Sequence, residues 1–207
     1  MTPAIEESPW ATRADKEKER ATKRDAVLRT AVRFFNEKGF HSTSLDDVAS
    51  ALNVTKPTIY HYFSNKDEIL FECINMGFEA IREAASKAAR QGGSGMVRLQ
   101  ALMLEYALIK TRPFGICVTR TTDDQLRPDS RKKFRAGKRE INTIIETVLA
   151  EGMADGSIRK ADPRIVAFTL AGSLNWIARW YDPEGDLDAQ EVANGVVDTL
   201  VNGLRPQ

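Results

Sequence analysis

Apolar residues recur every three to four positions along most of the chain, and short polar stretches rich in glycine, proline, serine and aspartate separate these segments. Such spacing places the apolar side chains on one face of an α-helix. No segment shows the alternation of apolar and polar residues that is typical of a half-buried strand. The pattern therefore predicts an all-α fold with about nine helices.

Residues that cap helices, or that cannot continue them, mark the predicted helix ends. Ser44 and Thr55 can accept hydrogen bonds at the start of a second and a third helix. Asn53 tolerates a left-handed backbone and is placed to turn the chain between those two helices. Asp188, followed by Glu191, forms a predicted capping box before the last helix. The predicted helices cover about 14–38, 45–52, 56–63, 66–90, 96–110, 114–122, 130–154, 163–181 and 189–204.

The sequence divides into a short N-terminal arm and two helical regions. Residues 1–13 contain two prolines and no periodic apolar pattern, so we expect a loose arm. We assign residues 14–66 to a small three-helix domain and residues 67–207 to a larger helical domain.

Charge is unevenly distributed, although the net charge of +1 does not itself indicate a nucleic-acid partner. Between Ala11 and Lys66 there are 11 lysines and arginines against 7 aspartates and glutamates, whereas the chain from Asp67 onward has 19 against 20. No acidic residue occurs from Asn53 to Lys66. A surface built from this stretch is suited to approach a polyanion.

The two cysteines, Cys73 and Cys117, lie far apart in apolar surroundings and lack the spacing of a zinc site. We therefore expect reduced, buried thiols, no bound metal and no cofactor. No apolar run approaches the roughly 18 residues that span a bilayer, and the N-terminus lacks the apolar segment of a signal peptide. These features predict a cytoplasmic protein without a membrane partner.

Residues 45–62 have the pattern of a helix-turn-helix. Ala49 is small where two helices would cross, Asn53 lies at the turn, and Val54 and Ile59 would supply apolar contacts between the helices. In this motif the second helix enters the major groove of DNA with its N-terminal residues at the base edges. Its polar side chains offer hydroxyl groups, an ammonium and an imidazole to phosphates and bases.

The segment "FFNEKGFHSTSLDDVASALNVTKPTIYHYFSNKDEIL" resembles the DNA-binding domain of the TetR family of bacterial transcriptional repressors. It matches the family's order of aromatic residues, glycine, threonine, apolar turn and "YHYFxxKxxIL". Asn53 stands where the family often has glycine, and it meets the same backbone requirement. The rest of the chain resembles the family only in the number and length of its helices.

The resemblance implies a repressor that binds a palindromic operator in double-stranded DNA as a homodimer and is released by a small-molecule effector. It also implies dimerisation through the last two helices, with the two recognition helices about 34 to 36 Å apart or slightly more. Carried over to this sequence, phosphate contacts fall on Thr43, Thr55, Tyr60, His61 and Lys66. Base contacts fall on Lys56, Pro57 and Thr58. The basic run "KEKERATKR" is either a solvated helix start or an extension that reaches flanking DNA.

The C-terminal region offers candidates for effector binding. In "LNWIARWYDPEG" two tryptophans stand one helical turn apart beside an arginine, a pattern similar to that of TetR-type repressors of fatty-acid or steroid catabolism that respond to acyl-CoA thioesters. The basic run "RKKFRAGKR" would suit an anionic effector with an apolar tail. The alternative is that the tryptophans pack in a core or dimer interface and that the basic run is a solvated helix face. The predicted ligand-binding residues are Met103, Tyr106, Trp176, Arg179 and Trp180.

Two other classes of protein remain open from the residues alone. A small helical hydrolase would use Cys117 as its nucleophile, but the two histidines, His41 and His61, both lie in the predicted DNA-binding region. A helical binding module without DNA is the second alternative. The resemblance favours a DNA-binding regulator over an enzyme.

Overall fold

The computed structural model describes residues 12–202, and every regular element in this range is helical. Nine α-helices and one 3₁₀ turn, Asp123–Gln125, make up the described chain, which confirms the predicted all-α class. The helices are α1 (Arg13–Lys38), α2 (Leu45–Ala51), α3 (Lys56–Tyr60), α4 (Lys66–Gln91), α5 (Gly95–Lys110), α6 (Pro113–Arg120), α7 (Pro128–Ala154), α8 (Pro163–Trp180) and α9 (Ala189–Asn202).

The predicted caps at Ser44 and Asp188 are confirmed by their hydrogen bonds, whereas the prediction for Thr55 is wrong, because its side chain makes no capping hydrogen bond. The Ser44 hydroxyl accepts the Asp47 amide at 3.1 Å, and the Asp47 carboxylate accepts the Ser44 amide at 3.0 Å. Asp188 and Glu191 form the same reciprocal pair, with both distances 2.8 Å. Asn53 has a φ of 53°, as its place in the turn requires.

Helix α3 is shorter than predicted, because it ends at Tyr60 rather than Phe63. The amides of Tyr62 and Phe63 both donate to the Ile59 carbonyl, which closes a turn instead of continuing the helix. Within the predicted arm, Thr12 caps α1 and Arg13 is its first residue, whereas residues 1–11 and the predicted helix end near Leu204 lie outside the described residues. The basic run "KEKERATKR" lies in the exposed first part of α1, where Lys23 pairs with Glu19.

Helices α1, α2 and α3 make up the predicted small domain, and buried apolar residues hold α2 and α3 at a fixed angle. Val48 and Ile59 are fully buried, and Phe63 is 1% exposed, so each short helix has an apolar anchor. The predicted contact through Val54 is corrected, because this side chain is 38% exposed. Burying these anchors stabilises helices that are too short to persist alone.

The remaining helices form a larger bundle around α5. This helix packs against α4, α6, α7, α8 and α9, while α4 and α6 also contact α1 of the first domain. The start of α5 is tied to the end of α7, where the Asp155 carboxylate accepts the Gly95 amide at 2.7 Å. No helix within residues 12–202 combines the length and apolar character needed to cross a membrane.

Candidate DNA-binding surface and ligand cavity

Helix α3 presents its N-terminal half and one edge to solvent. Its inner side is fixed by buried Ile59, and the preceding turn is fixed by the amide of Val54, which donates to the Ala49 carbonyl at 3.0 Å. Six of the predicted DNA contacts lie together on this exposed surface, which we call the α3 surface. Its residues are Thr55, Lys56, Pro57, Thr58, Tyr60 and His61.

Polar groups of the α3 surface are arranged in two pairs. The hydroxyls of Thr55 and Thr58 lie 3.0 Å apart, and the Lys56 ammonium lies 2.8 Å from the Asp46 carboxylate on α2. This hydrogen bond raises the pKa of Lys56, so the side chain stays charged. An exposed ion pair contributes little net stability, which leaves the ammonium able to exchange the carboxylate for a DNA group.

Thr43 does not belong to the exposed surface, which corrects the predicted phosphate contact of its side chain. It is 1% exposed, and its hydroxyl donates to the carbonyls of Gly39 at 2.9 Å and Phe34 at 3.2 Å. These bonds satisfy carbonyls at and just beyond the end of α1. Thr43 therefore fixes the loop between α1 and α2 rather than offering a hydroxyl to DNA.

Lys66 bonds to the loop before α2, but its side chain is only partly buried, so its predicted phosphate contact stays a prediction. Its ammonium donates to the carbonyls of Phe40 at 2.8 Å and Thr43 at 2.9 Å, and it lies 4.3 Å from the centre of the Phe40 ring. Partial burial lowers the pKa of Lys66. Its side chain joins the start of α4 to the loop that precedes α2.

Arg24 supports the α3 surface and was not singled out from the sequence. Its guanidinium donates to the Tyr62 carbonyl at 2.8 Å and lies 4.2 Å from the centre of the Phe63 ring. The contact fixes the turn that follows α3. The sequence signal was only a basic residue within a basic run, and such residues are most often solvated.

A cavity of about 380 Å³ lies in the larger domain and is lined by residues of α4, α5, α6, α7 and α8. Its inner wall includes Ile81, Tyr106, Lys110 and Phe134, all at most 3% exposed. Phe168, which is 58% exposed, lies at its opening. The lining contains two lysines and no carboxylate, so the cavity combines an apolar wall with positive charge.

Of the five predicted ligand residues, Tyr106 lines this cavity and the other four do not. The Tyr106 hydroxyl donates to the Asn175 side chain at 3.1 Å, and burial raises the pKa of the phenol. Met103 is 1% exposed and packs in the core behind the cavity wall. Its predicted role as a lining residue is corrected.

The predicted ligand residues Trp176, Arg179 and Trp180 lie on the outer side of α8 and do not line this cavity, which favours the alternative that they belong to an interface. Trp176 is 64% exposed and Trp180 is 46% exposed. Ile165, Trp176 and Trp180 form an exposed apolar stripe outside the cavity, which we call the α8 stripe. Trp180 also borders a shallow depression lined by α9 residues.

Lys110 is the cavity residue that the sequence analysis missed. Burial lowers the pKa of its ammonium to about 7, because taking a charge out of water without a partner is unfavourable. The sequence feature that could have identified Lys110 is its position on the apolar face of the run "LMLEYALIK", where its neighbours are core residues.

Arg120 connects the two domains at the end of α6. Its guanidinium donates to the Asn36 carbonyl near the end of α1 at 2.8 Å and to the Ala178 carbonyl near the end of α8 at 3.2 Å. Thr119 and Thr121, on either side of it, line the cavity. The end of α6 therefore touches the cavity, the first domain and the helix that carries the α8 stripe.

Cys117 lacks the properties of a catalytic nucleophile. It is 2% exposed, and burial raises the pKa of its thiol to about 12, which disfavours the reactive thiolate. The described part of the chain also contains no cluster of three or more histidine, cysteine or acidic side chains that could hold a metal ion. The geometry gives no support to the hydrolase alternative.

Comparison with known proteins finds two family models that together cover most of the chain. Residues 27–73 match the model for bacterial regulatory proteins of the tetR family, and residues 92–204 match the tetracyclin repressor-like C-terminal domain. The HTH-type transcriptional repressor KstR2 of Mycolicibacterium smegmatis is 22% identical, over 89% of this chain and 91% of that protein.

Solved structures give the same result. A TetR/AcrR-family regulator from Thermobifida fusca is 35% identical, with a TM-score of 0.70 over 89% of this chain and 100% of that one. AibR, solved in complex with isovaleryl coenzyme A and operator DNA, is 29% identical, with a TM-score of 0.76 over 86% of this chain and 97% of that one. The second family model alone matches more than half of the chain. The chain therefore belongs to the TetR family of bacterial transcriptional regulators.

Proposed function

We propose that the protein is a homodimeric transcriptional repressor that binds a palindromic DNA operator and is released from it by a small-molecule effector. The observation that carries this proposal is the α3 surface, which is exposed, rigidly supported and free of acidic residues in a chain of the TetR family. A regulator of this kind acts where the bacterial chromosome lies, which is the cytoplasm.

Contacts with DNA would come from the six residues of the α3 surface. Lys56, Pro57 and Thr58 stand at the start of the helix, where side chains of a recognition helix meet base edges in the major groove. Thr55, Tyr60 and His61 flank them and offer donors to phosphates. Because Thr43 is buried and bonds to backbone carbonyls, we assign it to supporting this surface, whereas partly exposed Lys66 both supports the surface and stays a proposed phosphate contact beside it.

Dimerisation would use the α8 stripe and the neighbouring face of α9. Large apolar side chains exposed side by side on one helix are typical of an interaction site. In a twofold dimer the same patch meets its own copy. Large apolar side chains such as Ile165 and Trp176 dominate the stripe, so the interface would not depend on hydrogen bonds or on buried charges.

The effector would bind in the cavity of the larger domain. Its volume of about 380 Å³ is at the small end of the range for small-molecule sites, so it suits a compact apolar group. AibR, a structural relative, is described in complex with isovaleryl coenzyme A. An acyl-CoA thioester is therefore the effector class that we propose, with the acyl group inside and the nucleotide outside.

Release from DNA would follow from linkage between the two sites. An effector that favours a dimer with wrongly spaced recognition helices must weaken operator binding by the same factor by which DNA weakens effector binding. The end of α6 offers a route, since Thr121 lines the cavity and Arg120 bonds to α1 and α8.

We expect Lys56→Ala to weaken operator binding roughly tenfold or more, because a side chain lost from a base edge costs about 1 to 3 kcal/mol. Thr58→Ala should change which base is preferred at one operator position, since the threonine methyl and hydroxyl are both removed. Gel-shift titrations on a set of single-base operator variants measure both effects.

Lys160→Ala is the matched control, because it removes one exposed lysine from the larger domain and leaves the α3 surface intact. Its affinity should match that of the unaltered protein. Full affinity and unchanged base preference in both the Lys56 and Thr58 variants would reject the proposed surface, and would favour a helical binding module that does not use DNA.

A further inference from the structure

Lys110 is a buried charged side chain for which the folded chain provides no counterion. It is 1% exposed, and among the described residues its ammonium has no hydrogen-bond or ion-pair partner. The one recorded interaction is with the Tyr106 ring, whose centre lies 4.9 Å away. Lys138, the other lysine of the cavity, lies at the opening and pairs with Asp123 at 3.6 Å.

Polar groups around the cavity are already committed to other partners. The hydroxyls of Thr119 and Thr121 donate to the carbonyls of Gly115 and Cys117. The Asn175 oxygen accepts the Tyr106 hydroxyl. The cavity wall therefore offers Lys110 little in place of the water that it lost on burial.

The helices around Lys110 also bring no negative charge to the cavity. Helices α4, α6 and α8 contribute only uncharged side chains to the described lining, and helix α7 contributes Lys138. Tyr106 is the other titratable group of the lining, and burial keeps it neutral. Elsewhere in the described chain, the Nε atoms of Arg98 and Arg131 are fully buried and lack a hydrogen-bond partner. The Lys110 nitrogen differs from these atoms because it borders the cavity.

We propose that the effector carries a carboxylate, and that this carboxylate binds the Lys110 ammonium at the buried end of the cavity while an apolar body extends toward Phe168. This inference rests on the proposed function, because it identifies the chemistry of the effector for the same cavity. A charge-assisted bond in a water-poor site is stronger than one between neutral groups, and it removes the unpaired charge at the same time.

Two sources share this chemistry. A free fatty acid would enter with its carboxylate first. An acyl-CoA thioester would satisfy Lys110 when its acyl chain ends in a second carboxylate, with the coenzyme left outside the opening. Because the thioester itself is uncharged and lies near the opening, a simple acyl-CoA would leave Lys110 unpaired.

Binding of a carboxylate requires the protonated form of Lys110, whose pKa is lowered to about 7 by burial in the empty protein. Above that pH the protein must take up a proton when the carboxylate binds, so carboxylate affinity should fall roughly tenfold between pH 8 and pH 9. A neutral ligand that fills the same space should show no such loss.

The test is isothermal titration calorimetry of the full chain with four probes in two matched pairs. Octanoate is compared with octanamide, and suberyl-CoA, whose chain ends in a carboxylate, is compared with octanoyl-CoA. The expected result is that at least one carboxylate binds roughly 10- to 100-fold more tightly than its uncharged partner. Titrations at pH 8 in two buffers of different ionisation enthalpy should show proton uptake for that carboxylate alone.

Lys110→Met should abolish the preference for the carboxylate and its dependence on pH, while Lys160→Met, which removes an exposed lysine outside the cavity, should keep both. Thermal unfolding shows whether each variant folds. Equal binding within both pairs, absence of binding by either carboxylate, or an unchanged preference in Lys110→Met would overturn the inference.

The same probes in an operator gel shift separate this inference from the proposed function. If octanoyl-CoA releases the operator as well as suberyl-CoA does, and Lys110→Met responds equally, the repressor proposal stands and the carboxylate inference is wrong. If the protein binds no operator at all, the repressor proposal fails, while calorimetry still decides the chemistry of the cavity.

Discussion

Replacing Lys110 with methionine is expected to raise the free energy of unfolding at pH 7 by about 3 to 5 kcal/mol per chain. Burial lowers the pKa of this ammonium from 10.5 to about 7, so the folded protein holds the proton far less tightly than the unfolded chain does. Methionine has a similar length, fills the same space and carries no charge to desolvate. Replacing the lysine therefore removes the free-energy cost of burying its ammonium, which no group in the empty cavity offsets.

The sign of the pH dependence follows from the same shift. Between about pH 7 and pH 10.5 the unfolded chain binds a proton that the folded chain releases, so the stability of the unaltered protein rises with pH in this window. Below pH 7 both forms hold the proton and the full cost remains. The advantage of Lys110→Met should accordingly be largest at pH 6 to 7 and shrink at pH 9.

Urea unfolding at fixed protein concentration, from pH 6 to pH 9, measures this difference. Concentration must be held constant because a dimer gains stability by mass action. Lys138→Met is the matched control, since that lysine is exposed and should give no comparable gain. A Lys110→Met variant that is less stable than the unaltered protein, or a gap that does not narrow with pH, would contradict the assignment of Lys110 as an unpaired buried charge.

Trp176→Glu is expected to convert the protein to monomers and to weaken operator binding by about 100-fold or more. The tryptophan stands in the α8 stripe, and in a twofold dimer the introduced carboxylates would lie in the same interface. Each monomer could then hold only one half of a palindrome. The second half-site contact would no longer be made at the high effective concentration that linkage provides.

Sedimentation velocity and gel shifts with the same operator fragment measure the two effects. Val97→Glu is the matched control, because Val97 is also exposed but lies on α5, away from the α8 stripe. It should remain a dimer with full operator affinity. A dimeric Trp176→Glu variant would remove the α8 stripe from the proposed interface, and a monomer with full affinity would contradict binding as a dimer.

Much of the architecture could be predicted because it depends on residues close together in sequence. The Ser44–Asp47 and Asp188–Glu191 boxes and the left-handed Asn53 are local features, set by side chains three positions apart or by one backbone angle. Apolar spacing likewise located each helix within a few residues. The α3 surface followed from the same local pattern.

Helix α8 shows where this approach fails. It carries buried residues such as Leu170 and Leu174 on one side, and exposed residues such as Ile165 and Trp176 on the other. Both sets recur with helical spacing, so the pattern does not reveal that the cavity is lined by a third set of α8 residues, Phe168, Ala171, Gly172 and Asn175. The sequence therefore left two roles open for the tryptophans, effector binding and packing in a core or dimer interface.

The roles of side chains whose partners are distant in sequence could not be predicted either. Thr43 and Lys66 belong to the motif that resembles the family. In the structure, however, the Thr43 hydroxyl donates to a carbonyl near the end of α1, and the Lys66 ammonium donates to a carbonyl in the loop before α2. Lys110 was overlooked because a lysine at the end of a helix is usually solvated. Its importance depends on helices that are remote in sequence and that enclose it.

Selection of genomic DNA fragments by the purified protein, followed by footprinting, is the decisive experiment for operator binding. We expect enrichment of a few fragments that share one palindrome, with half-sites about 34 to 36 Å apart or slightly more along the duplex. The footprint should cover both half-sites and should disappear when an effector binds. Recovery of fragments without a shared sequence, at the level of unselected DNA, would contradict the assignment as an operator-binding repressor.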